Sequence, residues 1–324
     1  MNKFVLKLHE EFETPAEVLF DLIKRATSED PIGAEKIVGG YENEVYKVIT
    51  RQANYAVRIR RLGNVEFQHE AWALESCRKA GVSVPEVLLL DTIQSGEEPL
   101  EAMVQNWING RPLNDFLSKI ATQDLDRILH QIGELLAGIH TVSVEGVGRR
   151  HAEGLWDFST WDQMMASQAR DRDSIKKYIL QAGFSERDFE TMAQMLQQSD
   201  EEFPCLHPVL CHGDFDPQHI FVDEYLNVSG VIDFGQIQGG PPILDFMFFS
   251  LAQPKMDLTP IVSGYPNQET QIKDRFERRL NMCRLEFLMG CVAHITKTGD
   301  ADADKTPDAP GQLKKTLEIL KSGR

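Results

Sequence analysis

Cysteine is scarce: Cys77, Cys205, Cys211, Cys283 and Cys291 are the five thiols in 324 residues, an odd number with no CxxC spacing. That pattern fits neither a disulfide framework nor a zinc site, and it predicts a reducing, cytoplasmic compartment. Long apolar runs are also missing. The longest lies around residues 246–252, far short of the roughly 20 residues a membrane helix needs. The apolar run within residues 1–15 is too short for a signal peptide. Basic residues are in deficit, 34 Lys and Arg against 50 Asp and Glu, a net charge of −16. Such a field repels a nucleic-acid backbone, so no nucleic-acid partner is expected, and it favours cationic ligands. There is no internal repeat. What remains, 42% hydrophobic and 26% charged residues, is ordinary for a soluble globular chain of two domains or one large one.

Within that frame the order of elements is distinct. Thr14-Pro15-Ala16-Glu17 predicts a helix start, with Thr as cap and Pro at the first helical position, running to about residue 26. Residues 45–50 and 55–60 read as strands about a turn. Along the second, Tyr55, Val57 and Ile59 face one way and Ala56, Arg58 and Arg60 the other. A helix over 66–80 stops at Gly81, and the apolar runs 86–91 and 101–108 predict a hairpin. After Pro112 the pattern turns to amphipathic helices. Leu125, Ile128, Leu129, Ile132, Leu135, Leu136 and Ile139 recur at three and four residues as one apolar face, and further helices are predicted over 160–182, 186–199, 268–296 and 312–321. A β-rich island, 209–233, interrupts them. The predicted organisation is α+β and bilobal: residues 1–106 form a smaller antiparallel-sheet lobe with a helix, and 107–324 a larger, mostly helical lobe.

The island carries the chemistry. His212, Asp214, Asp216 and His219 lie between its strands, and Asp233 ends the next apolar strand, 233 − 214 = 19 residues on. Acids at the ends of buried strands are costly unless they bind something cationic. Carboxylates with an oxygen- or nitrogen-donor side chain suit Mg²⁺ that also holds phosphate. Plainer roles stand beside these: turn formation for Asp214 and Asp233, a hydrogen-bonded histidine at 219, loop bracing by His212, and for Asp216 either a solvated carboxylate or a substrate contact.

The string HGDFDPQH followed by IDFG resembles the catalytic loop and metal-binding triplet of the aminoglycoside phosphotransferase family, relatives of the protein kinases. Other blocks are similar to family motifs in family order: Gly39-Gly40 with 41–48 to its nucleotide loop, Ala56-Val57-Arg58-Ile59 to its third-strand lysine motif, Glu70 to the helical glutamate partner, and Trp107-Ile108-Asn109-Gly110 to the hinge exit. The resemblance spans about residues 35–250 and implies a protein-kinase-like fold. By it, Asp214 orients or deprotonates the acceptor hydroxyl, while Asp233 and His219 bind Mg²⁺. It also implies that Arg58, paired with Glu70, holds phosphate, and that ATP or GTP is the donor. The glycines at 39 and 40 bring backbone amides to phosphate, Gln105 and Trp107 offer backbone groups to the purine, and Ala56 leaves room for its ring. Asp245 is similar to a family aspartate that anchors the loop. The chain departs from the pattern in Arg58 for Lys, His219 for Asn, and Gln236 after IDFG, which leaves room for a catalytically silent nucleotide-binding scaffold.

The resemblance also implies a small-molecule hydroxyl acceptor. Trp156-Asp157-Phe158-Ser159-Thr160-Trp161-Asp162 mixes aromatics and acids where the family places its substrate-side insert, and Asp274, Glu277 and Glu286 are further acids on a predicted helix. A cationic, aminoglycoside-like acceptor is the expectation. A macrolide or metabolic amino-alcohol kinase on the same scaffold is the alternative.

Overall fold

The computed structural model describes residues 12–39, 42–62, 67–95, 98–151, 153–265, 275–299 and 306–323. The chain forms two units, residues 1–111 with 221–235, and residues 112–220 with 236–324. In the first unit, helix α1 (Ala16–Thr27) precedes strands β1 (Pro31–Ile37), β2 (Asn43–Thr50) and β3 (Asn54–Arg60), and helix α2 (Phe67–Lys79) precedes β4 (Val87–Ser95), β5 (Glu98–Asn106) and the short β6 (Arg111–Pro112). The five long strands make one antiparallel sheet in the order β1-β2-β3-β5-β4.

One face of this sheet is the core, as the alternation at 55–60 predicts. Tyr46, Val48, Tyr55, Val57 and Ile59 pack against Leu19, Leu22 and Ile23 of α1. Leu22 and Ile23 are fully buried, each contributing about 2 kcal/mol by burial. The predicted Thr14 cap is not made: Pro15 is the cap residue with no side-chain bond. The Thr14 hydroxyl instead donates to buried Glu44 at 2.9 Å, which also takes Arg61 Nη2 at 2.7 Å. A buried charge needing several donors outcompetes a local cap.

The second unit begins with α3 (Thr122–Ile139); of its predicted apolar face Ile128, Leu129, Ile132, Leu136 and Ile139 are buried, and Leu125 and Leu135 are half-buried. It continues with β7 (Val147–Arg150), β8 (Trp156–Phe158), α4 (Trp161–Gln181), α5 (Glu186–Glu202) and β9 (Val209–Cys211). The chain then runs through β10 (Ile220–Val222) and β11 (Val228–Val231), before β12 (Gln238–Gly240), α6 (Ile243–Ala252), α7 (Thr259–Gly264), α8 (Phe276–Thr298) and α9 (Ala309–Lys321). Strands β8, β7, β12 and β9 form a four-stranded sheet in that order.

The longest apolar run of the sequence is α6. Apart from Asp245 and Ser250 the helix is apolar, and Phe246, Met247, Phe249 and Leu251 are buried, as so apolar a helix requires. Among the described residues no helix is long and apolar enough to cross a membrane. None of the five cysteines is in a disulfide. Burial pushes Cys205 and Cys283 up to about 12.

Candidate active site

In the first unit, Ala56 and Arg58 lie on the sheet face opposite α1. Cross-strand pairing sets Arg58 between Val45 and Met103, and Ala56 between Lys47 and Gln105. Arg58 is 8% exposed and reaches two carboxylates. Its Nη1 pairs with Glu70 of α2, and its Nη2 donates to Asp233 Oδ1 at 3.2 Å. Burial works against the guanidinium charge, but attraction to Glu70 and then Asp233 outweighs it and holds Arg58 above its ordinary value. Burial likewise raises Glu70, against the pull of Arg58 and the Phe234 amide. Asp233 adopts a left-handed backbone, φ 69°, which strains a non-glycine residue.

Gln105 is buried within the interior strand β5, paired to Ala56 on one side and Val87 on the other. The Trp107 N–H donates to Asn54 O at 3.1 Å, and Lys47 Nζ lies 5.0 Å from the Trp107 ring centroid. Gly39 has open space where a side chain would begin. Gly40 lies outside the described residues.

In the second unit, β9 leads into the loop carrying His212, Gly213, Asp214 and His219. Buried Asp245 of α6 holds that loop by its backbone: Oδ2 accepts the His212 N–H at 2.8 Å and Oδ1 the Gly213 N–H at 3.0 Å. His140, at the end of α3, bonds Asp245 Oδ2 through Nε2 at 3.0 Å and the Tyr265 hydroxyl through Nδ1 at 3.0 Å. Burial raises the Asp245 carboxyl, but His140 and then His212 outweigh it, so it lies below the usual carboxylate range. Gly213, at φ 78°, lies so close to Gln236 that an added Cβ would stand 1.8 Å from its carbonyl oxygen.

The loop fixes two tautomers. The Asp214 N–H donates to His212 Nδ1 at 3.3 Å, so that nitrogen is the acceptor. His219 Nδ1 lies 2.8 Å from the Asp214 carbonyl oxygen, which only accepts; Nδ1 therefore carries a proton, and in the neutral ring Nε2 has the lone pair. Ligand atoms of Asp214, Asp216 and His219 lie within 4.8 Å of one another. Asp216 is buried, its oxygens taking the Gln218 N–H and Nε2 at 2.6 and 3.1 Å, so it is not a solvated carboxylate.

A cavity of about 300 Å³ opens in the same unit, lined in part by Arg149, Asp157, Phe158, Gln168, Asp171 and Gln238. Strand pairing supplies part of it: Gln238 stands opposite Arg149 on one side and Cys211, the residue before the loop, on the other. Asp157 accepts the Arg149 N–H at 2.7 Å and meets His151 Nε2 at 2.7 Å. The Gln168 Oε1 is buried with no hydrogen-bond partner. Asp157 and Phe158 belong to the expected substrate-side insert; Arg149, Gln168 and Gln238 carry no motif. Of the helix acids, Glu286 pairs with Arg172 at 3.1 Å, Glu277 is exposed, and Asp274 lies outside the described residues.

An antiparallel sheet followed by a mostly helical part is the order of a kinase-like fold, and comparison with known proteins supplies the family. The model of the phosphotransferase enzyme family matches residues 33–264, so the chain belongs to that family. It is a small-molecule phosphotransferase acting on hydroxyl groups. No curated protein sequence matches it. Among solved structures, an aminoglycoside phosphotransferase APH(4)-Ia, in ternary complex with ADP and hygromycin B, superposes at a TM-score of 0.68 with 17% identity, covering 94% of this chain and 98% of the other. Macrolide 2'-phosphotransferase MphH from Brachybacterium faecium gives 0.57 with 17% identity over 94% and 98%. ADP-bound APH(2'')-Ib gives 0.58 with 16% identity over 95% and 97%. At these identities the likeness is one of fold: antiparallel-sheet and helical parts, bilobal and protein-kinase-like.

Proposed function

We propose that this enzyme moves the γ-phosphate of ATP or GTP to a hydroxyl of a cationic, aminoglycoside-like small molecule. The observation that carries the acceptor class is the cavity: its charged lining is Arg149, Asp157 and Asp171, 1 − 2 = −1 in sum. The Gln168 side chain also lines the cavity, and an amide there can hydrogen-bond an amine or a hydroxyl. Aromatic Phe158 adds an apolar face.

In this reading Asp214, on its anchored loop, takes the hydroxyl proton. Arg58 receives phosphate, and Ala56 leaves room for the purine. Gln105 lines that end of the site, and Trp107 offers its carbonyl, since its N–H is spent on Asn54. Gly39 and Gly40 stand at the phosphate loop. The donors present fit a divalent cation: Asp233 is 42% exposed at its side chain, and the His219 tautomer puts a lone pair on Nε2. Mg²⁺ held by Asp233 and His219 would supply charge neutralisation for the phosphoryl group. No nucleic acid or membrane enters the reaction.

The test is Mg²⁺-dependent transfer from ATP and GTP to aminoglycosides, macrolides and amino alcohols, followed by mass spectrometry, with Asp214→Asn alongside. The expected result is a phosphorylated aminoglycoside, formed about 10²–10⁴-fold more slowly by the variant. Product on a macrolide or amino alcohol alone would overturn the acceptor. Nucleotide binding without any product would favour the silent scaffold.

A further inference from the structure

Arg58 stands where the family resemblance leads one to expect lysine, and it serves two carboxylates through separate nitrogens. Nη1 pairs with Glu70, and Nη2 donates to Asp233 Oδ1 at 3.2 Å; the Phe67 ring centroid lies 5.4 Å from Cζ. The planar fork makes this possible: a guanidinium presents its donors in fixed, divergent directions, whereas an ammonium offers them from one centre. The two partners differ in setting. The Glu70 side chain is 2% exposed and that of Asp233 is 42% exposed.

We propose that Arg58 is a positioning residue for the metal-binding carboxylate: without nucleotide it clamps Asp233 on Nη2, and an incoming phosphate takes that nitrogen in exchange. The inference rests on the reading of Asp233 as a metal ligand. Burial decides which bond is exchanged. Glu70 cannot leave the guanidinium without stranding a charge in the core, whereas Asp233 turns toward solvent and stays hydrated. The exchange breaks one ion pair and forms another, with no proton or covalent bond changing hands. Released from the clamp, the Asp233 carboxylate gives its lone pairs to a divalent cation. Phosphate and cation are thereby coupled through one side chain, each strengthening the other by the same factor.

The experiment is titration of nucleotide-free protein with Mn²⁺, with the free ion followed by electron paramagnetic resonance. Wild type is compared with the double variant R58M/E70M and with D233N. The double variant removes one cation and one anion, so net charge is unchanged, and a buried pair replaced together by apolar chains is tolerated. The double variant is expected to bind Mn²⁺ about fivefold more tightly than wild type, the size of a partly solvated ion pair. Equal or weaker binding, with wild-type circular dichroism and cooperative melting, overturns the clamp. R58K keeps the cation but loses the fork, so it tests the idea should the double variant not fold: about twofold tighter binding is expected, and no change overturns it. D233N is expected to lose Mn²⁺ binding. Retention there overturns the metal reading and the clamp with it; loss there without gain in the double variant overturns the clamp alone.

Discussion

Gly213 and Gly39 are both motif glycines, yet they meet opposite constraints. Gly213 has φ 78° and the Gln236 carbonyl 1.8 Å from where a Cβ would stand. Gly213→Ala is therefore expected to lower stability by at least about 2 kcal/mol and to displace the loop, measured as a fall in midpoint in urea together with lost turnover. Gly39 has no such contact; Gly39→Ala is expected to stay within about 1 kcal/mol of wild type, and a larger loss would show that the backbone there is constrained. The residues differ in how far the sequence reveals them. Asp214 and Asp233 stand out because a charge beside an apolar strand needs an explanation. The orphan oxygen of Gln168 is invisible, because nothing local distinguishes it from the exposed glutamines of the same helix. Thr14 misleads for a related reason: its capping pattern is present, but the competing partner, Glu44, lies 30 residues away.

Elements carry the site through their ends. Helix α6 reads in sequence as an apolar run, and its burial follows from that. The role of its single acid, Asp245, depends on where α3 delivers His140, which periodicity does not tell. Asp245→Ala would leave two loop N–H groups and His140 without their buried partner, and about 3–5 kcal/mol of lost stability is expected by chemical denaturation. The folded-state pKa of Asp245 is depressed. Its contribution is thus in force above the ordinary carboxylate value, about 3.9, and fades as pH falls through the lower folded value. The last helix is tied the same way: Lys321 of α9 bonds Asp188 of α5 at 2.7 Å. That bond, with help from Ser185, lowers Asp188 to about 2. The tie is present above the unfolded value and lost between there and about 2. Solvent screening limits it to about 1 kcal/mol, so Lys321→Ala is expected to shift the midpoint slightly at neutral pH and not at all below pH 2. An equal shift at both would assign Lys321 a packing role instead.

On the proposed function, the net charge of −16 over the whole molecule would attract a cationic acceptor at long range. Raising salt from about 0.1 M to 1 M shortens the screening length from about 10 Å to 3 Å. KM for such an acceptor is expected to rise at least about threefold with kcat little changed, read from initial rates; a flat KM would show that charge does not guide binding. The two-part organisation is legible from the shift of strand patterns to helical ones, but the return of residues 221–235 to the first unit has no local signal, being a property of topology. It has a consequence for synthesis. Val231 gives its N–H to Ser83 O at 3.1 Å, and Asp233 closes on Arg58, so the first unit stays incomplete until 235 − 111 = 124 further residues are made. At about 5–20 residues per second that is about 6–25 s on the ribosome. During that interval the five-stranded sheet is already synthesised, but Ser83 O lacks its Val231 donor and Arg58 lacks its Asp233 partner, and the nascent chain is at its most exposed to proteases and to pairing with its neighbours on the same message.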